Sequence, residues 1–364
     1  MLKGRCHNFN AGPAVLPESV LLEAQAEFVN FRHSGMSILE MSHRSKLFED
    51  LLAETETNLR QLLGISDDYS VLFLQGGASL QFSMVPQNLA LKDRPMDVVL
   101  TGNWTQKAVK EMKRFGEVRV VATSEAGQFR YIPSVSESDF DRNASFAYLT
   151  SNNTIYGSQF HEFPDTGLVP LVADMSSDIL SRPLDVSKFG LIFAGAQKNA
   201  GPSGVTLVII RKDLLERCDT SVPTMLQYRT HAENHSLYNT IPTFGVYMVG
   251  LVLKWIRSQG GLAAMAVANQ AKATLLYDAI DQSAFFYCPV REDARSLMNI
   301  VFRIQGDNDA LESKFVSEAQ KVGIVGIKGH RLIGGLRAST YNALPIESVK
   351  ALIDFMRDFE KANS

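Results

Sequence analysis

Lys198 lies in the segment FAGAQKNAGPSGV, residues 193–205, where no other side chain is charged. Small residues on both sides allow a second backbone or a flat ring to approach the lysine closely. The apolar run GLIFAG precedes it, so we expect Lys198 at the carboxyl end of a strand, where open α/β sheets bind ligands. A lysine whose pKa is lowered by burial can form an imine with an aldehyde. A loop lysine that extends into solvent would have a similar sequence.

Asp174 ends another apolar run, LVAD, some two dozen residues before Lys198. A carboxylate buried at such a position needs a cation or several hydrogen-bond donors. The ring nitrogen of pyridoxal phosphate (PLP) is a suitable cation, because the carboxylate keeps it protonated and the ring then acts as an electron sink. The segment DMSSD is equally compatible with an Asx turn or a helix cap.

Three further segments could complete such a site. FLQGGASLQF, residues 73–82, predicts a strand, a glycine turn and a helix start, whose N–H groups and the Ser79 hydroxyl would bind a phosphate. The phosphate-binding patterns GxxxxGK[ST] and GxGxxG are both absent.

Trp104 in GNWTQKA would stack on a heteroaromatic ring or pack at a domain edge. Asn152, Asn153 and Thr154 follow a predicted strand, where they would donate to a ring hydroxyl or a carboxylate, or form a plain polar turn.

Cationic residues outside these segments could bind an acidic substrate. Arg337 lies in the apolar, glycine-flanked run GGLRAS. Two His-Arg pairs, His43–Arg44 and His330–Arg331, lie in EMSHRS and KGHRLIGG. The planar guanidinium group binds carboxylates with two parallel hydrogen bonds, whereas an exposed pair contributes little. Together the three clusters fit a substrate with two anionic ends.

The elements that must position these residues alternate between strand and helix. Seven short apolar runs, beginning near residues 71, 97, 118, 146, 171, 190 and 205, predict strands, and several lack alternation, as in a parallel sheet buried on both faces. Residues 46–63 predict a helix with Ser45 as N-cap and Gly64 as its C-terminal stop. We therefore expect a large α/β domain over residues 16–260. Residues 1–15 and 261–364 would form a smaller α+β domain, with the site in the cleft between the two.

Composition excludes several classes of protein. The chain has 364 residues and a net charge of −3, which predicts no binding to nucleic acid or to an anionic membrane. The N-terminus lacks the apolar run of a signal peptide, and the longest apolar stretch, FGVYMVGLVL, is too short to cross a bilayer. The three cysteines form neither a disulfide framework nor a metal-binding pattern, so we expect no metal and a cytoplasmic location.

The chain resembles the phosphoserine aminotransferase family, a class V branch of the fold-type I PLP-dependent enzymes. The resemblance runs in order from about Asn8 to Asn342 and rests on NFNAGPAVLP, SILEMSHRS, GGASLQF, NWTQKA, SNNTIYG, ADMSSD, GAQKNAGPSG, TIPTFGVY and KGHRLIGGLRASTYNA. It implies a mostly parallel seven-stranded sheet in the large domain, a PLP cofactor and a homodimer with shared active sites.

The resemblance also implies a role for each candidate residue. Lys198 would bind PLP covalently and later move the substrate Cα proton, while Asp174 would pair with the ring nitrogen. Trp104 would stack on the ring, and Thr154 would contact its hydroxyl group. The residues implied for the cofactor phosphate are Ala78, Ser79 and Gln197, with Asn239 and Thr240 from the other subunit. The residues implied for the substrate are Arg337 for the α-carboxylate, and His43, Arg44, His330 and Arg331 for the phosphate or γ-carboxylate.

The implied reaction is a ping-pong transfer of the amino group from L-glutamate to 3-phosphohydroxypyruvate, which gives O-phospho-L-serine and 2-oxoglutarate. A second substrate in pyridoxine biosynthesis, 4-phosphohydroxy-L-threonine, is also implied. Some members of the family carry arginine where this chain has Ser79, so recognition of the substrate phosphate must depend on the other cations.

Three alternatives remain at this point. Another class V enzyme, such as a serine–glyoxylate aminotransferase, would have the same fold. A cysteine desulfurase needs a reactive cysteine, for which Cys6 and Cys288 are poor candidates. A binding module that has lost catalysis would usually have replaced Lys198 or Asp174.

Overall fold

The computed structural model describes residues 4–363. The strands in this part of the chain are β1 His7–Asn8, β2 Tyr69–Leu74, β3 Met96–Leu100, β4 Val118–Thr123, β5 Ala147–Thr150, β6 Leu171–Asp174, β7 Leu191–Gly195, β8 Thr206–Arg211, β9 Phe286–Tyr287, β10 Asn299–Ile304, β11 Ile324–Val325 and β12 Leu336–Ser339. The α-helices are α1 Glu18–Glu27, α2 Lys46–Leu63, α3 Gly77–Leu89, α4 Asn103–Met112, α5 Tyr228–Glu233, α6 Thr243–Ser258, α7 Gly261–Asp281, α8 Asp309–Lys321 and α9 Ile346–Asn363.

A seven-stranded sheet with the order β2-β8-β7-β6-β5-β3-β4 forms the centre of the molecule. Every residue of β3, β5, β6 and β7 is buried, which explains why their sequences are apolar without alternation. Strand β8 is antiparallel to both β7 and β2, whereas the other six strands share one direction. The predicted α/β fold with a mostly parallel sheet is confirmed.

Helix α2 shows how closely local sequence determines an element here. It spans Lys46–Leu63, as predicted. The Ser45 hydroxyl accepts a hydrogen bond from the Phe48 N–H, and Gly64 ends the helix with a φ of 64°. The buried face of the helix includes Phe48, Leu51 and Leu59. This face packs against α6, so the helix is held by tertiary packing as well as by its caps.

The C-terminal part of the chain has a separate hydrophobic core. A three-stranded antiparallel sheet, β12-β10-β9, packs with α7, α8 and α9. Phe9, which follows strand β1, is fully buried in the same core. Strand β1 pairs in parallel with β11, so the N-terminal residues join the C-terminal unit. The domain boundaries at residues 16 and 260 stay a prediction.

The direction of the sheet determines where a ligand site can form. Because six strands point the same way, the segments that follow β2, β3, β5, β6 and β7 meet at one edge of the sheet. These are the segments that carry the predicted cofactor residues. Within residues 4–363, no helix has the length and apolarity that a bilayer-spanning segment needs.

Candidate active site

A cavity lies at the carboxyl edge of the sheet. Its walls come from five segments, each of which follows a strand. The lining residues are Gly77, Ala78, Ser79, Trp104, Thr150, Asn152, Thr154, Asp174, Ser176, Ser177, Gln197 and Lys198. Seven of the predicted cofactor residues therefore come together in one chain, although they are spread over more than a hundred positions of sequence.

Lys198 points into this cavity and not into solvent. Its Nζ atom donates a hydrogen bond of 2.6 Å to Thr154 Oγ1 and lies 5.9 Å from the centroid of the Trp104 ring. Gly12 packs on the lysine stem, because a Cβ added there would lie 3.2 Å from Lys198 Cγ. Burial lowers the pKa of Lys198 from 10.5 to about 8; the Asp174 carboxylate opposes this shift and the Arg337 charge adds to it. A neutral, nucleophilic amine is therefore accessible near physiological pH.

Asp174 is buried at the end of β6. Its Oδ1 atom accepts hydrogen bonds from the Ser176 backbone N–H, at 2.9 Å, and from the Ser176 hydroxyl, at 2.6 Å. The Asx-type turn considered from the sequence is thus present, and the same carboxylate also lines the cavity. Burial raises the pKa of Asp174, which means that the site would stabilise a cation placed against this carboxylate.

A second buried carboxylate, Asp178, lies behind Asp174. It accepts hydrogen bonds from the Ser151 hydroxyl and from Gln159 Nε2. Burial raises the pKa of Asp178, and its negative charge opposes the lowering of the Lys198 pKa. Of these two buried carboxylates, only Asp174 lines the cavity.

The N-terminus of α3 forms one wall of the cavity. Gly76 and Gly77 take φ values of 86° and 64°, and no described side chain caps the helix. The first-turn residues Gly77, Ala78 and Ser79 line the cavity, so the uncapped N–H groups are available to an anion. Gln197 lies on the same wall, where its carbonyl oxygen accepts a hydrogen bond from the Ala14 N–H.

Arg337, from the C-terminal unit, contacts a residue of the cavity wall but does not itself line the cavity. Arg337, on β12, donates from Nη1 to the Thr154 carbonyl oxygen at 3.1 Å, and its buried Nε has no partner within the described chain. Burial lowers the pKa of His330, and the charges of Arg337, Arg331 and Lys107 lower it further. The three cationic side chains therefore lie within electrostatic reach of the His330 imidazole, and they favour its neutral form.

Comparison with known proteins identifies the family. The sequence model of the aminotransferase class-V family matches residues 6–352. The chain belongs to the class-V aminotransferases. Its similarity to phosphoserine aminotransferase of Lysinibacillus sphaericus (strain C3-41) is 56% identity, covering 98% of both chains.

Solved structures agree with this assignment. Phosphoserine aminotransferase from Bacillus circulans subsp. alkalophilus superposes on this class-V aminotransferase with a TM-score of 0.96, at 52% identity and 99% coverage of both chains. The PLP-bound phosphoserine aminotransferase from Trichomonas vaginalis gives a TM-score of 0.92 at 40% identity, covering 97% of this chain and 100% of that one. The recognition from sequence motifs is confirmed.

Arg337, His330 and Arg331 are not among the residues that line the cavity of this class-V aminotransferase, and His330 and Arg331 line a separate space with Glu312 and Gly335. Four further predicted site residues, His43, Arg44, Asn239 and Thr240, also lie outside the cavity. Arg44 borders a different space, together with Asn234 and His235. Asn239 donates to Gln75 Oε1 at 3.2 Å, and Gln75 donates to the Thr240 carbonyl oxygen at 2.9 Å.

Buried polar atoms of His43 (Nε2) and Asn239 (Oδ1) have no partner within residues 4–363. From the sequence, Asn239 and Thr240 are expected to serve the site of the other subunit, and no subunit is predicted for His43 and Arg44. One chain does not bring any of the four to Lys198.

Sequence reasoning missed several residues of the site. Lys107 lies one helical turn after Trp104, with its Nζ atom 4.4 Å from the ring centroid. The segment NWTQKA contained this signal, because positions three apart share a helix face. Ser176 and Ser177 also line the cavity, and their place in DMSSD directly after Asp174 was the available signal.

Proposed function

We propose that this class-V aminotransferase is a phosphoserine aminotransferase. It would transfer the amino group of L-glutamate to 3-phosphohydroxypyruvate and release O-phospho-L-serine and 2-oxoglutarate. The observation that carries the proposal is the partly buried Lys198, with its pKa near 8, in one cavity with Asp174 and Trp104. Relatives of that name at 50% identity and above, over nearly the whole chain, support it.

PLP is the proposed cofactor, and the residues of the cavity fit its functional groups. Lys198 would bind its aldehyde carbon, and the uncapped N-terminus of α3 would bind its phosphate. Asp174 would pair with the ring nitrogen, and Trp104 would stack on the ring. Thr154, whose hydroxyl accepts a hydrogen bond from Lys198 in this structure, would contact the ring hydroxyl. When bound, PLP supplies an electron sink for the charge left at the substrate Cα.

The chemistry of the chain's own residues is proton transfer and anion binding. An amine with a pKa near 8 can both accept and return the Cα proton at neutral pH, which makes Lys198 the proposed general base. Arg337 would bind the substrate α-carboxylate, and the His330–Arg331 pair the distal anion. Guanidinium donors suit this pocket, because it must accept a carboxylate from glutamate and a phosphate from the other substrate.

We propose that the active form is a homodimer with shared sites. Asn239, Thr240, His43 and Arg44 lie away from the cavity of their own chain. Large apolar side chains are exposed in the neighbouring stretches of sequence, at Val29, Met36, Leu39 and Tyr238. Exposed apolar groups of this kind are typical of subunit interfaces. The four residues would then reach the cavity of a partner subunit.

The remaining proposals concern location and substrate range. The three cysteines are free, which is typical of a protein from a reducing compartment, so a cytoplasmic location is proposed. Burial raises the pKa of Cys288, which argues against the reactive thiolate of a desulfurase. The anion-binding groups around Arg337 would also accept 4-phosphohydroxy-L-threonine, a proposed second substrate.

A coupled assay tests the proposed function. The purified protein, loaded with PLP, is given L-glutamate with 3-phosphohydroxypyruvate, glyoxylate, pyruvate or oxaloacetate. Turnover should be fastest with 3-phosphohydroxypyruvate, and Lys198→Ala should abolish it while the circular dichroism spectrum is retained. A preference for glyoxylate would instead support the serine–glyoxylate alternative. A protein that stays colourless with added PLP would refute the cofactor assignment.

A further inference from the structure

Glu312, in helix α8, is a buried carboxylate that lies outside the cavity. Only 4% of the residue is exposed. Its Oε1 atom accepts from Arg303 Nε at 3.0 Å and from the Ile304 N–H at 3.3 Å. Its Oε2 atom accepts from Arg303 Nη2 at 3.1 Å and from the Gly335 N–H at 3.1 Å. All four bonds are made to one charged group, so each is stronger than a bond between neutral partners.

The Gly335 N–H belongs to the hairpin of residues 328–336, which we call the anion hairpin because it carries His330 and Arg331. Lys328 and Leu336 pair at its base, and the Gly329 N–H donates to the Gly335 carbonyl oxygen at 2.9 Å. The Gly334 N–H closes the tip by donating to the His330 carbonyl oxygen at 2.9 Å. The hairpin is thus internally closed, and the Gly335–Glu312 bond joins it to helix α8.

Arg303 completes the anchor and is not free to bind a substrate. Besides Glu312, its guanidinium group contacts Asp307 at 3.3 Å and Asp309 at 3.0 Å. Gly335, with a φ of 71°, packs on the stem of Arg303, and a Cβ at this position would lie 3.2 Å from Arg303 Cγ. The ion pair and the glycine together fix the hairpin against β10.

The anchor matters because Arg331, on the anion hairpin, has the same charge as the nearby Arg337 and Lys107. The charges of Arg337, Arg331 and Lys107 all lower the pKa of His330, so these groups oppose one another when no anion is bound. Arg331 is exposed and could relieve this repulsion by moving outward into water. A hairpin held in place before the substrate arrives loses less free energy to ordering on binding.

We propose that Glu312 is a positioning residue. Through its hydrogen bond to Gly335 it holds the anion hairpin in the position in which His330 and Arg331 bind the distal anion of the substrate. The inference rests on the proposed function, in which this anion is a phosphate or a γ-carboxylate. Because both Glu312 oxygens already accept hydrogen bonds from the chain, Glu312 would act on substrate affinity and not on the proton transfer at Lys198.

The variant Glu312→Gln tests this role. Glutamine has one acceptor oxygen, so two of the four donors lose their partner. KM for 3-phosphohydroxypyruvate and for L-glutamate should rise roughly tenfold, with kcat within about twofold of the wild type. The slow half-reaction with L-alanine, which has no distal anion, should change less than about twofold. Hydrogen exchange of the Gly335 amide should become faster.

Two further variants make the test specific. Asp309→Asn removes an equal charge from Arg303 but leaves the Gly335–Glu312 hydrogen bond in place. KM for 3-phosphohydroxypyruvate should therefore stay within about twofold of the wild type. Glu312→Asp keeps the charge beside Arg303 but is too short to reach Gly335, so it should reproduce the KM effect even if Glu312→Gln does not fold.

Four results would overturn the inference: unchanged KM values in both Glu312 variants, an equal loss with L-alanine, the same KM rise in Asp309→Asn, or unchanged exchange at Gly335. If the wild type itself does not convert 3-phosphohydroxypyruvate, the proposed function fails. The exchange measurement would still test the anchor in that case.

Discussion

At the scale of single residues, the surroundings of Lys198 determine its chemistry. Burial and the Arg337 charge both lower its pKa, while the Asp174 carboxylate opposes them. The amine is therefore largely neutral above pH 8, whereas an ordinary lysine with a pKa of 10.5 would still be protonated there. Only the neutral amine attacks an aldehyde.

The rate at which the apoenzyme captures PLP should follow this titration. The rate should rise with pH and level off above about pH 8. Arg337→Met removes a positive charge that lowers the Lys198 pKa, so the midpoint should move to higher pH. The exposed Arg331 is a matched control, since its charge does not contribute to the Lys198 shift, and Arg331→Met should leave the midpoint unchanged. The yellow absorbance of the bound cofactor reports capture. A wild-type midpoint near 10.5 would contradict the burial of Lys198.

Some residues of the site were predictable and others were not, for a physical reason. Lys198, Asp174 and Ala78 directly follow strands or glycine turns, and such positions can be found in a short window of sequence. Glu312 lies in an ordinary amphipathic helix, and its partner Gly335 belongs to a distant hairpin. Contacts between distant elements depend on the final packing, which no local pattern contains.

At the scale of elements, the turn between β2 and α3 shows how backbone shape forms the proposed phosphate-binding wall. Gly76 has a φ of 86°, and a Cβ at this position would lie 2.5 Å from Leu80 Cδ2. Gly64, after α2, has a φ of 64° with nothing within 4 Å of a Cβ. The two glycines share a left-handed conformation and differ in the space around them.

Alanine substitutions should separate these two effects. Gly64→Ala should lower the free energy of unfolding by about 1–2 kcal/mol, the cost of the left-handed conformation alone. Gly76→Ala should cost roughly 2–5 kcal/mol, since overlap with Leu80 adds to it. Urea unfolding measures both changes. A PLP titration should show weaker binding only for Gly76→Ala, and equal affinities in the two variants would argue against this turn as the phosphate site.

The seven strands of the central sheet and the caps of α2 were predicted from sequence, because apolar runs and capping residues act over a few positions. The reversed direction of β8 was not predicted. Its sequence, TLVIIR, is as apolar as that of a parallel strand, because β8 is also buried on both faces. The short connection from β7, over residues 196–205, is what permits the antiparallel return.

At the scale of the whole molecule, the proposed shared sites can be tested with mixed dimers. Lys198→Ala and Arg44→Glu should each be almost inactive alone. If Arg44 serves the cavity of the partner subunit, a mixed dimer has one site in which both residues are intact. Random mixing of the two variants after unfolding and refolding should then restore about a quarter of the wild-type activity. No recovery would mean that Arg44 acts in its own chain or not at all.

Arg44 was already a candidate from sequence as part of a His-Arg pair, whereas Asn239 was identified only through family resemblance. Neither residue follows a strand at the carboxyl edge of the sheet, so no local pattern connects them with Lys198. In the proposed dimer, their position relative to the cavity depends on how two subunits pack. The hydrophobic periodicity of a single chain does not show how two subunit surfaces are arranged.

The pairing of β1 with β11 has a consequence for synthesis. During translation, His7 and Asn8 emerge early, but their partners Ile324 and Val325 are added near the end of the chain. Until then Phe9, which is fully buried in the finished protein, has no core to enter and stays open to chaperones. A ribosome stalled after α6 would therefore hold a nascent protein whose central sheet can fold while His7, Asn8 and Phe9 still lack their partners.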